Sequence, residues 1–122
     1  MVERISEAEQ SVMEALWQES PLTAQEVSDR IGEARGWSLT TVKTLLGRLL
    51  AKQAVSAEED GRRYLYSPAI ARETFAVSES RRLIDRLFDG RVSPLVAHLA
   101  ERDAISDEDI AEIEALLKAL KS

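Results

Sequence analysis

The sequence predicts a mainly α-helical protein in which three helices precede a small β-hairpin and further helices follow it. Apolar residues recur at helical spacing over most of the 122 residues, and capping boxes mark helix starts at Ser6 and Thr23. The stretch 55–67 breaks this pattern, because its residues alternate as in two short strands around the turn-forming pair Asp60-Gly61. We therefore expect a helical head with a hairpin, followed by a helical tail.

The first two helices have clear starts. Ser6 and Glu9 form a capping box, in which each side chain bonds a backbone N–H at the start of the helix. Thr23 and Glu26 repeat this arrangement, and we expect the second helix to be short and to end near Gly32. The residues expected to turn inward from these helices are Ile5, Ala8, Val12, Ala15, Leu16, Val27 and Ile31.

The third helix is predicted to run from Ser38 to about Lys52 and to have two contrasting faces. The broad apolar face consists of Val42, Leu45, Leu46, Leu49 and Leu50. The opposite face is small, uncharged or basic and consists of Thr40, Thr41, Lys43, Thr44, Gly47 and Arg48. An ordinary solvated face in a protein with 22 acidic residues would carry glutamate, whereas the stretch 37–57 contains no acidic residue.

The net charge of −6 argues at first against a nucleic-acid partner, because phosphate contacts need cations. The charge is unevenly distributed, however: residues 1–36 carry −5, residues 37–67 carry +2 and residues 68–122 carry −3. The basic residues of the positive segment are Lys43, Arg48, Lys52, Arg62 and Arg63. A chance fluctuation in a short window is the alternative explanation.

The hairpin completes a recognisable order of elements. Its strands are predicted over 55–57 and 62–67, with 58–61 as the turn. Three helices followed by a hairpin is the order of a winged helix-turn-helix, whose third helix enters the major groove of DNA while the wing touches the flanking backbone. The candidate DNA-binding residues are Ser38, Thr40, Thr41, Lys43, Thr44, Arg48, Lys52, Arg62 and Arg63. Ordinary surface cations and first-turn threonines are the alternative interpretation of these residues.

Three further amphipathic helices are predicted, over 71–88, over 92–102 and from Ser106 onward. So small a unit would be marginal as an independent core, so we expect its aliphatic face to pack against the same face of a second copy. The predicted domains are a winged-helix DNA-binding domain over 1–69 and a helical dimerisation domain over 70–122. The candidate dimerisation residues are Phe75, Leu83, Leu87, Leu95, Leu99, Ile113, Leu116, Leu117 and Leu120. In the alternative interpretation, these helices cover the head of their own chain.

Several segments carry a family resemblance. They are Ile5-Ser6-Glu7-Ala8-Glu9, Val12-Met13 through Leu16-Trp17, Trp37-Ser38, Thr41-Val42-Lys43-Thr44-Leu45-Leu46-Gly47-Arg48-Leu49 and Tyr64-Leu65-Tyr66. Together they resemble the penicillinase-repressor family, which includes BlaI, MecI and CopY. The resemblance implies a homodimeric bacterial repressor with a winged-helix head and an intertwined helical tail, which binds operators of dyad symmetry. The residues that match its recognition helix and wing are Thr40, Thr41, Thr44, Arg48, Arg62 and Arg63.

Two departures limit what the resemblance implies about regulation. Copper-responsive members often carry a C-terminal Cys-x-Cys motif, but this chain has no cysteine, so we expect no metal site of that kind. Members that control β-lactam resistance are cleaved in the C-terminal region, commonly at an Asn-Phe bond. The approximately corresponding pair is His98-Leu99, which is the candidate site for a regulatory protease. We expect His98 to be a packing or capping residue rather than a ligand.

Other classes of protein are disfavoured by composition. One histidine, no cysteine and no glycine-rich phosphate loop predict no catalytic residues and no cofactor. No apolar run reaches the roughly 18 residues that span a bilayer, and the N-terminus lacks a signal peptide pattern, so we expect a cytoplasmic protein. The expected partners are double-stranded operator DNA and a second copy of the chain. The rival hypothesis is a winged helix that contacts proteins, which an acidic third helix would have favoured.

Overall fold

The computed structural model describes residues 4–122, and the chain divides into two compact units, with the boundary in the sequence between Ala76 and Val77. The elements of the first unit are α1 (Glu7–Gln18), α2 (Ala24–Val27), a π-helical segment (Ser28–Gly32), α3 (Glu33–Arg35), α4 (Leu39–Ala51), β1 (Val55–Asp60) and β2 (Arg63–Pro68). Helix α5 (Arg72–Phe88) crosses the division, and the second unit continues with α6 (Val92–Glu101) and α7 (Asp107–Lys121). The predicted class, mainly helical with one small hairpin, is confirmed.

Both predicted capping boxes are present. The Ser6 backbone N–H donates to Glu9 Oε1 at 2.8 Å, and the Glu9 N–H donates to Ser6 Oγ at 3.1 Å. At the start of α2, the corresponding distances between Thr23 and Glu26 are 2.9 and 3.1 Å. These bonds satisfy N–H groups that lack partners within the helix, which is why both helices begin where the sequence predicts.

The core of the first unit lies between α1 and α4. Val12, Met13 and Leu16 of α1 are fully buried. The buried residues of α4 are Val42, Leu45, Leu46 and Leu49. Leu50 was also expected to turn inward, but that prediction is wrong, because its side chain is 37% exposed. It lies about 100° around the helix from Leu49 and so falls at the edge of the apolar side.

The second predicted helix is longer than expected. After α2 the chain continues through the π-helical segment and α3, and it ends at Gly36, whose φ of 70° is left-handed. Gly32, where we expected the end, is buried in helical backbone. A Cβ there would lie 3.1 Å from the carbonyl oxygen of Trp37. Gly32 therefore permits a close approach of backbone, and Gly36 provides the helix end.

The hairpin is also longer than predicted. We expected 58–61 to form the turn, but Glu58 pairs with Leu65 and the ladder continues to Asp60 opposite Arg63. Only two residues remain in the loop, of which Gly61 has a φ of 67°. The predicted turn was therefore too wide, because the acidic residues pair across the strands and do not form a loop.

The chain beyond the hairpin is anchored on α1. Trp17 Nε1 donates a 2.9 Å hydrogen bond to the carbonyl oxygen of Ile70, and its ring lies 5.5 Å from that of Phe75. Phe75 belongs to the core of the first unit. This placement corrects its assignment to the dimerisation face. It also explains why the first compact unit extends to Ala76, whereas the predicted domain ended at residue 69.

The second unit consists of helices without a core of their own. Ser106 caps α7 as predicted, since its Oγ accepts from the Asp109 N–H at 3.0 Å. No residue from Val77 to Ser122 is buried. None of the helices in the described residues is long and apolar enough to cross a membrane.

A partly buried ion pair joins the start of α1 to the end of α4. Glu9 is 1% exposed, and its Oε1 accepts from Lys52 Nζ at 2.6 Å. Lys52 Nζ also donates to the Arg4 carbonyl oxygen at 2.7 Å. Burial alone would raise the pKa of Glu9, but hydrogen bonds from Lys52 and Ser6 outweigh it and hold the pKa below its usual range.

We expect replacement of Glu9 by Gln to reduce stability in a pH-dependent way. Because folding lowers this pKa, the carboxylate stabilises the fold above its unfolded pKa of about 4.3 and loses that effect as the pH falls through the folded value. E9Q should lower the free energy of unfolding at neutral pH by about 2 kcal/mol, since it leaves Lys52 without its counter-charge. Urea unfolding over a pH series measures this.

The matched control is Glu7→Gln, because Glu7 is an exposed carboxylate in the same helical turn. It should change the free energy of unfolding by less than about 0.5 kcal/mol. The same difference between the wild type and E9Q at every pH would contradict the prediction.

Candidate nucleic-acid interface

Most of the predicted DNA-binding residues lie on the exposed side of α4. Ser38 caps the helix, and its Oγ accepts from the Thr41 N–H at 3.2 Å. The exposed residues of the predicted set on α4 are Thr40, Thr41, Lys43, Thr44 and Arg48. They are exposed because the leucines of the opposite side fill the core, so the geometry of one helix places them together.

The hydroxyl groups on this side differ in availability. Thr44 Oγ1 donates to the Thr40 carbonyl oxygen at 3.0 Å, which turns its hydroxyl toward the helix backbone. Thr41 Oγ1 lies 3.2 Å from Ser38 Oγ. The Thr40 hydroxyl makes no hydrogen bond within residues 4–122, so it is the freest of the three threonines to meet a base edge.

A groove of about 590 Å³ lies between the start of α2, the start of α4 and the hairpin. Lys43, Arg62 and Arg63 line it and make it basic. Gln25 and Tyr64 also line it, and the sequence analysis assigned neither of them to the interface. For Tyr64 a signal was available, namely a tyrosine in the strand next to two arginines.

The cations of this region fall into two groups. Lys52 was expected to contact DNA, but its ion pair with Glu9 holds it against the protein, and this corrects the prediction. Arg63 donates to Asp60 Oδ2 from Nε at 3.1 Å and from its terminal nitrogen at 2.9 Å. Lys43, Arg48 and Arg62 form no ion pair in the part of the chain that the structure describes. These three carry the uncompensated positive charge of the interface.

A second acidic residue lies near Arg63 and further distinguishes it from Lys43, Arg48 and Arg62. Hydrogen bonds with the backbone and the side chain of Thr23, aided by the charges of Arg63 and Arg30, hold the pKa of Glu26 below its usual range. Burial, and then the neighbouring Tyr64, raises the pKa of Tyr66, which also lines the groove. Glu26 therefore stays anionic and Tyr66 neutral at neutral pH, so Arg63 has a second negative charge nearby.

The predicted tail residues lie on α5, α6 and α7. The exposed members of the set are Leu83, Leu87, Leu99, Leu116, Leu117 and Leu120, and the half-buried ones are Leu95 and Ile113. The bond between His98 and Leu99 lies inside α6. His98 is exposed, and its ring lies 5.7 Å from the ring of Phe88. Residues 4–122 contain no group of three or more His, Cys, Asp or Glu side chains that could hold a metal ion.

The family model and the similar proteins of known role point to the same family. The family model described as penicillinase repressor matches residues 5–119. The penicillinase repressor of Bacillus licheniformis is 30% identical over 121 residues, which cover 99% of this chain and 94% of the relative. The methicillin resistance regulatory protein MecI of Mammaliicoccus sciuri is 26% identical over 113 residues, which cover 93% and 92% of the two chains.

Two solved structures resemble the first part of the chain. The DNA-binding domain of the repressor BlaI in solution matches with a TM-score of 0.54 and 33% identity, over 59% of this chain and 88% of that one. The monomeric form of Bacillus licheniformis BlaI in complex with the blaP half-operator matches with a TM-score of 0.52 and 33% identity, over 60% and 89%.

Proposed function

The chain belongs to the penicillinase repressor family, and on that premise we propose that it represses transcription as a homodimer on a palindromic operator until an unidentified signal releases it. The family is one of DNA-binding transcriptional repressors, which are not enzymes. As a regulator of transcription it acts in the cytoplasm, where bacterial DNA lies. The partners in this proposal are double-stranded DNA and a second copy of the chain.

One observation carries the DNA-binding part of the proposal. The exposed side of α4 has no acidic residue and holds Lys43 and Arg48, which, like Arg62 on the neighbouring hairpin, form no ion pair within residues 4–122. An α-helix about 10 to 12 Å wide fits a major groove of about 12 Å. In this arrangement Arg48 pairs with guanine, Thr40 meets a base edge, and Lys43 and Arg62 contact phosphates. Bacillus licheniformis BlaI, solved in complex with the blaP half-operator, supports DNA as the partner in this proposal.

The exposed aliphatic residues of the tail support the dimer. Leu116, Leu117 and Leu120 are 65%, 54% and 81% exposed on one side of α7. Leu87 and Leu99 are similarly exposed on α5 and α6. Soluble monomers rarely leave so much apolar surface in water, and an isologous contact with a second copy would bury it. Two recognition helices related by a two-fold axis then read half-sites about one DNA turn apart.

Release from the operator is the regulated step of the proposed cycle. A signal that separates the two copies removes half of the DNA contacts and so lowers affinity without any change at α4. Cleavage by a regulatory protease at His98-Leu99 would act in this way. Because that bond lies within α6, the helix would have to open locally before a protease could reach it.

Selection of bound duplexes from a random DNA pool at moderate salt, followed by sequencing, tests the proposed function. We expect enrichment of a palindrome whose half-sites are about one helical turn apart, or roughly 10 base pairs, because a two-fold dimer presents two α4 helices. Failure to enrich any sequence, with binding that disappears as salt rises, would overturn the proposal. That result would favour a winged helix that contacts another protein.

Substitution of two cations on α4 should separate base contacts from phosphate contacts. R48A should weaken binding by about 1 to 3 kcal/mol for each contacted base and relax the preference at one position of each half-site. K43A removes the same charge from the same helix, so it is the matched control. It should weaken binding to all sequences alike and reduce the salt slope by about 2 per dimer. Fluorescence anisotropy on matched and altered sites measures both. An unchanged site preference for R48A would remove Arg48 from base readout.

Charged residues on the apolar side of α7 should disrupt the dimer. We expect L116E combined with L117E to raise the dissociation constant of the dimer by about a hundredfold, because each carboxylate would be buried without a partner. Ala115→Glu places the same side chain on the opposite side of α7 and should leave the constant within about twofold. Sedimentation equilibrium measures the change. An unaltered dimer in the double variant would contradict the tail interface.

A further inference from the structure

Gly47 has no role in the fold that explains it. It lies in the interior of α4, in helical backbone, and it is exposed. Apart from the backbone of α4 itself and the two neighbouring residues, no atom of the described residues lies within 4 Å of a Cβ built at this position, so alanine would fit without strain. Glycine inside a helix is less favourable than alanine by about 0.8 to 1.0 kcal/mol. The glycine therefore makes the head less stable than alanine would, although neither packing nor backbone conformation requires a glycine there.

The position of Gly47 on α4 points to the DNA. The buried residues Val42 and Leu49 define the inner side of the helix, and Gly47 lies on the opposite side, together with Thr40. Lys43 and Arg48 flank this line without ion pairs in the described residues. When a helix inserts into the major groove, the residues on the side opposite its buried face come closest to the base edges.

We propose that Gly47 is the point of closest approach between α4 and the base edges, a positioning role that rests on the proposed operator binding. Without a side chain there, the helix backbone lies deeper in the groove, and Thr40 and Arg48 come within hydrogen-bond reach of the bases. A methyl group at residue 47 holds the helix outward and lengthens those contacts. Gly47 acts through its neighbours and not through a bond of its own.

The test compares Gly47→Ala and Gly47→Gln with Ala51→Gln. Ala51 is also exposed, one turn further along the same side at the end of α4, so A51Q adds the same side chain where a recognition helix makes fewer base contacts. The probes are the palindromic duplex from the selection experiment and a scrambled duplex of equal length. Urea unfolding is measured for each variant without DNA.

We expect G47A to raise the folding equilibrium constant about fourfold and yet to bind the palindrome about tenfold more weakly. G47Q should lose about a hundredfold, and A51Q should stay within about twofold of the wild type. Binding of the scrambled duplex at low salt should not change, because that binding depends on the cations.

Three outcomes would overturn the inference. Unchanged binding of the palindrome by G47A would overturn it while leaving the proposed function in place. A less stable G47A would show that Gly47 serves the fold. Failure of the wild type to prefer any duplex would overturn the proposed function, and the role of Gly47 with it.

Discussion

The burial of one side of α4 against α1 is the constraint on which the rest of the head depends. Val42, Leu46 and Leu49 are completely buried beneath α1, and a helix has only one side opposite its core. The residues that lie outward are therefore determined by those that lie inward. Thr40 and Arg48 face solvent because the leucines do not. The same packing that stabilises the head also exposes the side of α4 that we propose contacts DNA.

Charge pairing then decides how much of the basic segment is available to DNA. In a protein with a net charge of −6, each acidic residue near the interface competes for its cations. Lys52 is held by Glu9, and Arg63 by Asp60. Few cations of the proposed interface are without an ion pair in residues 4–122, so we expect weak attraction to arbitrary DNA, because nonspecific affinity rises with the number of phosphate contacts. Tight binding by the proposed dimer would then come from shape, base contacts and the use of two copies, and such a repressor would discriminate strongly between sites.

The two units of the chain differ in whether they bury their own apolar side chains. The head has a complete core, extended by Phe75 and by the hydrogen bond from Trp17 to Ile70. The residues from Val77 onward have amphipathic helices but no buried side chain. In the proposed dimer, the stability of this tail depends on protein concentration, because its apolar surface is buried only when a second copy is bound. A signal that acts on the tail would thus change DNA binding while leaving the head folded.

Local rules explain what the sequence by itself determined. The capping box of Ser6 and Glu9, the apolar side of α4 and the hairpin all depend on residues a few positions apart, and all were predicted. The acid-free side of the third helix, and with it most of the candidate site, was predicted for the same reason. Only the tertiary structure decided that Lys52 binds Glu9, 43 positions away. It also placed Phe75 in the core of the head. A pattern along the chain records which residues are apolar or charged, but not which distant partner reaches them, because those contacts exist only after the helices have packed.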